Sequence, residues 1–422
     1  MLSKEDNELY TRVGPGTPMG ELFRRFWLPA LLVSELAEPD GAPVRLRLLG
    51  EDLIAFRDTS GKVGVIEERC AHRQASLFFG RNEECGIRCV YHGWKFDTEG
   101  RCVDMPNEPA DSRYKDKVRL RSYPAREAGD AIWVYMGPSH LHPELPQFEW
   151  MHVPPDQRMV TRWHQDSNWA QGMEGEIDAS HLSFLHRVFT GAPDADASPG
   201  LKQIRESGDT APQLSVQRTD YGFMYGARRV LPDGHDYWRI TQFLLPMYSL
   251  VPSTPVASGR AWVPIDDESC WTVHYEFRTD RSFSPAERAR AASGDGFPPQ
   301  LIPGTHYPEA NRANDYLIDR QMQRTVNFTG IRGISNQDRA VTESMGPIVD
   351  RTREHLSRGD QAITTARRVL IKAAKELQKG IEPAPATDGK LYAVRSLQLV
   401  DDEADLGRLV ERHRGEMVAE LV

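Results

Sequence analysis

The sequence predicts an α+β protein in which a smaller, all-β domain precedes a larger domain of strands and helices. The chain has 422 residues, more than one ordinary hydrophobic core holds, so two domains are expected. Short strand patterns separated by glycine turns fill residues 43–137, without a long helical pattern. Beyond residue 150, strand patterns are followed by a long amphipathic pattern, which indicates a sheet covered by helices.

The first domain is predicted over residues 28–145, after a helical N-terminal segment, residues 1–27, that packs on the second domain. Its strand patterns begin with VRLRLLG, in which side chains alternate, and LIAFRD. TSGK provides a hairpin turn into VGVIEE, and AIWVYMG adds a last strand. The proline-rich run PSHLHPELPQFEW is typical of a linker.

The second domain is predicted over residues 146–422. A helix begins at about Trp169, and residues 212–278 return to strand patterns. The chain is helical again from about Asp338. Within that stretch Asp360 is predicted to cap the helix QAITTARRVLIKAAKELQK, and Gly380 follows its end.

Charge and hydropathy exclude several classes of protein. A net charge of −9 argues against a general nucleic-acid binder, because such proteins present a basic face. The most apolar early run, residues 26–33, contains Pro29 and is too short for a membrane span. The N-terminus is polar, so we expect no targeting segment, no membrane association and a cytoplasmic location. Cysteines in that compartment are metal ligands or free thiols.

Two short loops each offer one cysteine and one histidine. Cys70 and His72 form C-x-H, and Cys89 and His92 form C-x-x-H. A zinc site is the alternative, but ordinary zinc fingers take their cysteines from one motif and their histidines from another. The division found here suits two metal ions side by side, as in a [2Fe–2S] cluster with two histidines on one iron. The other thiols match neither motif and are interpreted as structural: Cys85, Cys102 and Cys270.

A pair of histidines follows the helix pattern that begins at Trp169. His181 and His186 are five residues apart, and five residues rotate by about 140° on an ideal helix, so the rings meet only if the helix is distorted. Alone, such a pair is interpreted as one core and one surface histidine. Asp178 precedes His181 by three residues, close enough on a helix to orient its ring, although a solvated acid is the alternative.

The two loops resemble those of Rieske iron–sulfur proteins, and the resemblance extends over nearly the whole chain. It is carried by GPGTPMGELFRRFWLPALL, RLLGEDLIAFRD, RCVYHGWKFD, KDKVRLRSYP and QDRAVTESMGPI, which are similar to the phthalate dioxygenase group of Rieske non-haem iron oxygenase α subunits. The resemblance implies an all-β Rieske [2Fe–2S] domain and a helix-grip-like catalytic domain with an antiparallel sheet. It also implies a homo-oligomer, a trimer or a multiple of one.

The same resemblance assigns a second metal site. SNQDRAVTES resembles the third-ligand segment of these enzymes, in which Asp338 would join His181 and His186 around a mononuclear Fe(II). A helix N-cap is the alternative for Asp338, and Glu343 and Asp350 are the rival carboxylates. The cluster ligands would be the four loop residues already named.

By the resemblance, Asp178 bridges His181 to His92 of the partner subunit and couples the two metal sites. The implied function is that of an oxygenase component in aromatic catabolism. It would use O2 and electrons from NADH, delivered by a separate flavin or iron–sulfur reductase or a ferredoxin, to hydroxylate or O-demethylate a small aromatic carboxylate. An electron-transfer Rieske protein and a zinc-binding structural protein are the alternatives.

A carboxylate substrate calls for an arginine, whose planar fork matches two oxygens. Strand alternation allows at most one of Arg228 and Arg229 to face inward. The candidates lie in the predicted cavity region: Arg205, Arg228, Arg229 and Arg239.

Overall fold

The computed structural model describes residues 1–141, 143–189, 199–294 and 297–421. Antiparallel strands build the first part of the chain, and their bounds are β1 (Trp27–Leu32), β2 (Val44–Leu48), β3 (Glu51–Arg57), β4 (Val63–Glu67), β5 (Arg81–Asn82), β6 (Ile87–Arg88), β7 (Lys95–Phe96), β8 (Cys102–Asp104), β9 (Ser122–Tyr123), β10 (Ala125–Ala128) and β11 (Ala131–Tyr135).

These strands form small sheets in the orders β1-β11-β10, β2-β3-β4-β9 and β5-β6-β7-β8. Alternation sets their faces: in β2 the side chains of Leu46 and Leu48 are buried, while Arg45 and Arg47 face solvent. The predicted turn between LIAFRD and VGVIEE is the β3–β4 hairpin.

A larger antiparallel sheet follows, made of β12 (Arg158–Gln165), β13 (Gln213–Thr219), β14 (Gly222–Val230), β15 (Asp236–Leu244), β16 (Tyr248–Val251), β17 (Ala257–Pro264), β18 (Cys270–Phe277) and β19 (Leu397–Val400). Its order is β12-β18-β17-β16-β15-β14-β13, and β19 pairs with β15. One side of β15 therefore pairs with two strands, with β16 along one half and with β19 along the other.

Helices cover this sheet and its edges: α1 (Lys4–Thr11), α2 (Pro18–Phe23), α3 (Glu149–His152), α4 (Trp169–Glu176), α5 (Pro199–Ser207), α6 (Pro285–Ala292), α7 (Arg320–Thr325), α8 (Ile334–Ser344), α9 (Gln361–Leu377), α10 (Ala384–Thr387) and α11 (Leu406–Arg412). Helix α9 buries an apolar stripe and packs against α1, α2, β13 and β14. The predicted α+β class, with an all-β first part and an antiparallel sheet among helices, is confirmed.

Asp360 lies at the predicted N-cap position of α9, but its side chain does not make the capping hydrogen bond. The helix begins at Gln361, directly after Asp360. However, the Asp360 carboxylate accepts from the backbone N–H of Ser357, 2.6 Å away, and makes no bond to a helix N–H group. A preceding turn competes for the acceptor, which the sequence pattern alone does not reveal.

Aromatic stacking joins the first part of the chain to the large sheet. Trp133 of β11 stacks on Trp150 of α3 at 6.0 Å between ring centroids, and Trp150 stacks on Tyr275 of β18 at 4.6 Å. All three belong to one continuous buried cluster. A separate, smaller core contains Cys70 and Cys89. Within the described residues, each helix is too short or too polar to cross a lipid bilayer.

A buried ion network fixes α4 against α9 and the turn at Arg351. Arg367 of α9 donates from Nε and Nη2 to the Glu174 carboxylate at 2.7 and 2.9 Å, and Arg351 donates from Nη2 at 3.1 Å. Burial opposes ionisation of Glu174, but the two guanidinium groups lower its pKa to about 2. The end of α4, which leads into Asp178, is therefore held by charge as well as by packing.

We predict that Glu174→Leu lowers the free energy of unfolding by about 3–5 kcal/mol, because it leaves buried guanidinium charge uncompensated. Denaturant unfolding followed by near-UV circular dichroism measures this. Since the folded-state pKa of Glu174 is depressed, its stabilisation is present above about pH 4.5 and is lost as the pH falls toward 2. In Glu174→Leu the free energy of unfolding should lack this contribution to its fall at low pH.

The matched control is Glu411→Leu, because Glu411 pairs with Arg414 on the surface, where both side chains are exposed. That change should cost less than about 1 kcal/mol. Equal denaturant midpoints of unfolding for the Glu174 and Glu411 variants would contradict the structural role of the ion network.

Candidate active site

The two cysteine–histidine loops share one backbone arrangement. The N–H of Cys70 donates to the carbonyl of Ala75, and the N–H of Gln74 donates back to Cys70, both at 2.9 Å. Cys89 repeats both bonds, at 2.8 Å to Trp94 and 3.0 Å from Gly93. The fifth residue of each loop, Gln74 or Gly93, has a positive φ of 61° or 79°. The loops are thus two copies of the same turn.

The matched turns bring their side chains together. The Nδ1 atoms of His72 and His92 are 3.1 Å apart. Cys70 and Cys89 are both buried in the small core, and burial raises the pKa of the Cys70 thiol to about 11. A bound cation would deprotonate such thiols. The donor set, two thiols and two imidazoles from equivalent loops, therefore fits a [2Fe–2S] cluster with mixed ligation.

Neighbouring residues hold these loops. The Trp94 ring stacks on His72 at 4.5 Å between centroids, and its Nε1 donates to Asn107 at 2.7 Å. Of the cysteines interpreted as structural, Cys85 is exposed, while Cys102 and Cys270 are buried. Cys102 belongs to the same small core as Cys70, whereas Cys270 lies in the large sheet.

His181 and His186 meet because the helix stops before them. Helix α4 ends at Glu176, and a separate 3₁₀ turn covers His181–Ser183. The helical angle of five residues therefore does not apply, and the ring centroids lie 5.1 Å apart. Asp338 Oδ1 is 3.7 Å from His181 Nε2 and 3.1 Å from His186 Nε2.

The three side chains each present one ligand atom within 4.8 Å of the others, so the set fits a divalent metal ion. Asp338 lies in the middle of α8, so the alternative in which it caps a helix is wrong. The rival carboxylates have other contacts: Glu343 accepts from Tyr316 and pairs with Arg339, and Asp350 accepts from Thr352.

Two further residues lie beside the histidine rings. His186 Nδ1 lies 2.7 Å from Gln337 Oε1, which fixes the tautomer that leaves Nε2 toward Asp338. Gln337 precedes Asp338 on α8 and was not predicted, because a glutamine in a helix carries no distinctive sequence signal. Asp178 Oδ2 lies 3.6 Å from His181 Nδ1, and its Oδ1 accepts from the N–H of Ser180 at 2.7 Å.

A cavity of about 390 Å³ opens beside these residues. His181, His186 and Asp338 line it, together with the inward faces of β14, β15, β17 and β18 and one side of α6. Phe297 and Leu182 contribute apolar wall. A cavity of this size and mixed lining is typical of a small-molecule site.

The candidate arginines have different surroundings. Arg239 lines the cavity, where it donates to Gln398 Oε1 at 2.9 Å and to the carbonyl of Pro252 at 2.8 Å. Arg229 is buried and donates to the carbonyl of Ala179, Arg228 pairs with Asp236, and Arg205 donates to the carbonyl of His186. Arg260 also lines the cavity and pairs with Glu176, although the sequence did not single it out.

Comparison with known protein families agrees with this geometry. The Rieske [2Fe–2S] domain family matches residues 26–124, and the family described as LigXa C-terminal domain like matches residues 134–414. The chain belongs to the Rieske non-haem iron oxygenases. It is an oxygenase subunit, and this excludes both alternatives, a simple electron carrier and a structural zinc protein.

Named relatives of this Rieske oxygenase are similar over most of their length. It is 42% identical to the 3-chlorobenzoate-3,4-dioxygenase oxygenase subunit of Comamonas testosteroni, with 92% of each chain covered. It is 40% identical to the phthalate 4,5-dioxygenase oxygenase subunit of Pseudomonas putida, covering 94% of this chain and 91% of that one. The predicted family and its phthalate dioxygenase group are confirmed.

Solved structures share the fold. NdmB of Pseudomonas putida CBB5 superposes with a TM-score of 0.59 at 19% identity, covering 90% of this chain and 97% of that one. Dicamba monooxygenase bound to dicamba gives 0.58 at 18% identity, with 85% and 99% covered. At this level of identity the likeness extends to the fold alone.

We predict that Asp338→Ala loses the mononuclear iron and keeps the cluster, because the two histidines alone leave the metal without its carboxylate ligand. The iron-to-sulfide ratio should fall from about 3:2 to about 2:2, with an unchanged visible absorption spectrum. Asp350→Ala is the control and should keep all the iron. Full iron content in the Asp338 variant would mean that another carboxylate is the ligand.

Proposed function

We propose that this oxygenase subunit hydroxylates or O-demethylates a small aromatic carboxylate. The observation that supports it most is Arg239, a buried guanidinium group in the wall of the cavity that His181, His186 and Asp338 also line. Two relatives are named for 3-chlorobenzoate and phthalate, both aromatic acids, and a third, 33% identical, for O-demethylation of 5,5'-dehydrodivanillate.

In this proposal Cys70 and Cys89 hold one iron of the Rieske cluster, and His72 and His92 hold the other. His181, His186 and Asp338 hold a mononuclear iron. When bound, these metals would accept electrons that a reductase takes from NADH and passes on directly or through a ferredoxin, and they would activate O2. The protein supplies the ligands, their orientation and a pocket that shields them from water.

The chain's own residues then position the substrate. Gln337 holds the His186 ring, so that Nε2 stays directed at Asp338, where a metal ion would bind. Gln398 and the Pro252 carbonyl hold Arg239, which reduces the entropy that its long side chain loses when it binds a carboxylate. Aromatic and aliphatic wall residues such as Phe297 and Leu182 receive the ring.

We also propose that the active unit spans two subunits of a trimer or a multiple of one. Among the described residues, no hydrogen bond or ion pair joins the Rieske loops to the Asp178–His186 region. Tyr91 and Val90, beside His92, are more than half exposed, which is suitable for an interface. Asp178 would then accept a hydrogen bond from His92 of the partner subunit while it orients His181.

The domain division at residues 27 and 145 is retained as part of the proposal. The family matches support two domains and a first domain that begins near residue 27, but they place the junction between residues 124 and 134, before residue 145. A cytoplasmic location is proposed because the reductase that supplies electrons would draw on NADH.

The substrate class is tested by product analysis with the reductase, NADH and O2. A panel of phthalates, methoxybenzoates and biaryl acids is offered, with the corresponding amides as uncharged controls. We expect turnover of at least one acid and a loss of about 10-fold or more in kcat/KM for its amide, because Arg239 loses a charged partner. Equal turnover of acid and amide would contradict the carboxylate proposal.

We predict that Asp178→Asn retains both metal sites but lowers coupled turnover by about 100-fold or more, because the amide cannot accept from both imidazole rings. Iron and sulfide analysis and the visible spectrum check the metals, and NADH-dependent product formation checks coupling. Asp166→Asn, a change of the same kind at a half-exposed position, is the control. Near-normal turnover in the Asp178 variant would contradict the bridging role.

A further inference from the structure

A buried histidine and a carboxylate lie side by side on the wall of the cavity. His274 and Glu276 occupy alternate positions of β18, so both point to the same face, and both line the cavity. Across the sheet His274 is opposite Arg260, and Glu276 is opposite Ser258, which also line the cavity. The two residues therefore belong to the wall that would contact a substrate.

His274 is 2% exposed, and neither ring nitrogen has a hydrogen-bond partner among the described residues. Its Nε2 lies 3.4 Å from Glu276 Oε1. The ring packs against Phe297, with 4.9 Å between centroids. Burial lowers the pKa of His274, so the ring is neutral at neutral pH. A buried polar atom without a partner calls for an explanation, and His274 lines the cavity, where a bound molecule would supply one.

Glu276 also lacks a hydrogen-bond partner, and as a carboxylate it requires a donor. Other carboxylates of this wall have strong partners: Glu176 pairs with Arg260, and Glu287 with Arg278. Within the described residues, no donor makes a hydrogen bond of good geometry to Glu276, and its side chain is 20% exposed, toward the cavity.

The charge state of Glu276 follows from its neighbours. Burial acts to raise its pKa, but His274, Arg260 and Arg290 together lower it, so the group is ionised at neutral pH. An ionised carboxylate without a donor can only accept hydrogen bonds.

We propose that Glu276, which lies beside His274, accepts a hydrogen bond from a hydroxyl group of the substrate, which makes the preferred substrate a hydroxyl-bearing aromatic acid. A second carboxylate at this point would be repelled by Glu276. An ammonium group would face Arg260 and, at longer range, Arg290. A hydroxyl group is neutral and donates a hydrogen bond, so neither Glu276 nor the arginines repel it. This inference rests on the proposed function, in which Arg239 binds the acid group.

The test is ligand binding to the full-length, metal-loaded protein without O2, measured by isothermal titration calorimetry. The ligands are benzoate, its three monohydroxy isomers and the three methoxy analogues, which accept but do not donate. For wild type we expect the best hydroxy acid to bind about 10- to 100-fold more tightly than benzoate and than its methoxy analogue, since the hydrogen bond reaches a charged acceptor.

In Glu276→Leu this preference should fall to about one, while benzoate binding changes by less than about 3-fold. Glu276→Gln, which keeps a neutral acceptor, should give an intermediate ratio. The control Glu268→Leu, in the exposed turn between β17 and β18, should keep the wild-type ratio. Iron content and circular dichroism establish that each variant is folded.

The possible failures are distinguishable. If the acids bind but wild type shows no preference for a hydroxyl group, the inference is overturned and the proposed function stands; this comparison needs no variant. A preference that survives in Glu276→Leu also overturns it. If none of the acids binds, the carboxylate proposal fails and the inference fails with it.

Discussion

The metal ligands of the catalytic cavity depend on where helix α4 ends. Glu174 anchors the helix through the buried guanidinium groups of Arg351 and Arg367, and the helix stops two residues later, at Glu176. The released chain forms a short turn that directs two imidazole rings at Asp338. If α4 continued, the two histidines would lie on different faces of one helix and could not share a metal.

Asp338 is placed by a different kind of constraint. It projects from the middle of α8, so its position is set by a rigid element rather than by a loop. Gln337, the preceding residue of the same helix, contacts His186. One helix therefore supplies a ligand and orients another ligand, which fixes two of the three donors relative to each other.

The cavity wall divides its charges between two sites. On β15, Arg239 is held by groups of β19 and the chain after β16, whereas β18 presents His274 and Glu276. Among the described residues, the Glu276 carboxylate has no hydrogen-bond donor, while Arg239 has defined acceptors. In the proposed binding mode the acid group of a ligand contacts Arg239 and a separate hydroxyl group contacts Glu276, which lie on different strands of one sheet.

The sequence by itself determined the features whose chemistry is local. The two cysteine–histidine loops and the strand–turn patterns followed from spacings of a few residues, which a short segment imposes on its own backbone. The metal-binding role of His181 and His186 came from family resemblance, because their five-residue spacing separates the rings on an ideal helix. Asp338 came from family resemblance rather than from spacing, since a lone aspartate before a helical pattern also suits a cap. Only the tertiary structure decided that it lies mid-helix beside two histidines more than 150 positions earlier. The same holds for the contact of Gln337 with His186 and for the placement of Arg260, His274 and Glu276 in the cavity wall. The physical reason is that which face of a strand or helix is enclosed depends on packing between segments distant in the chain.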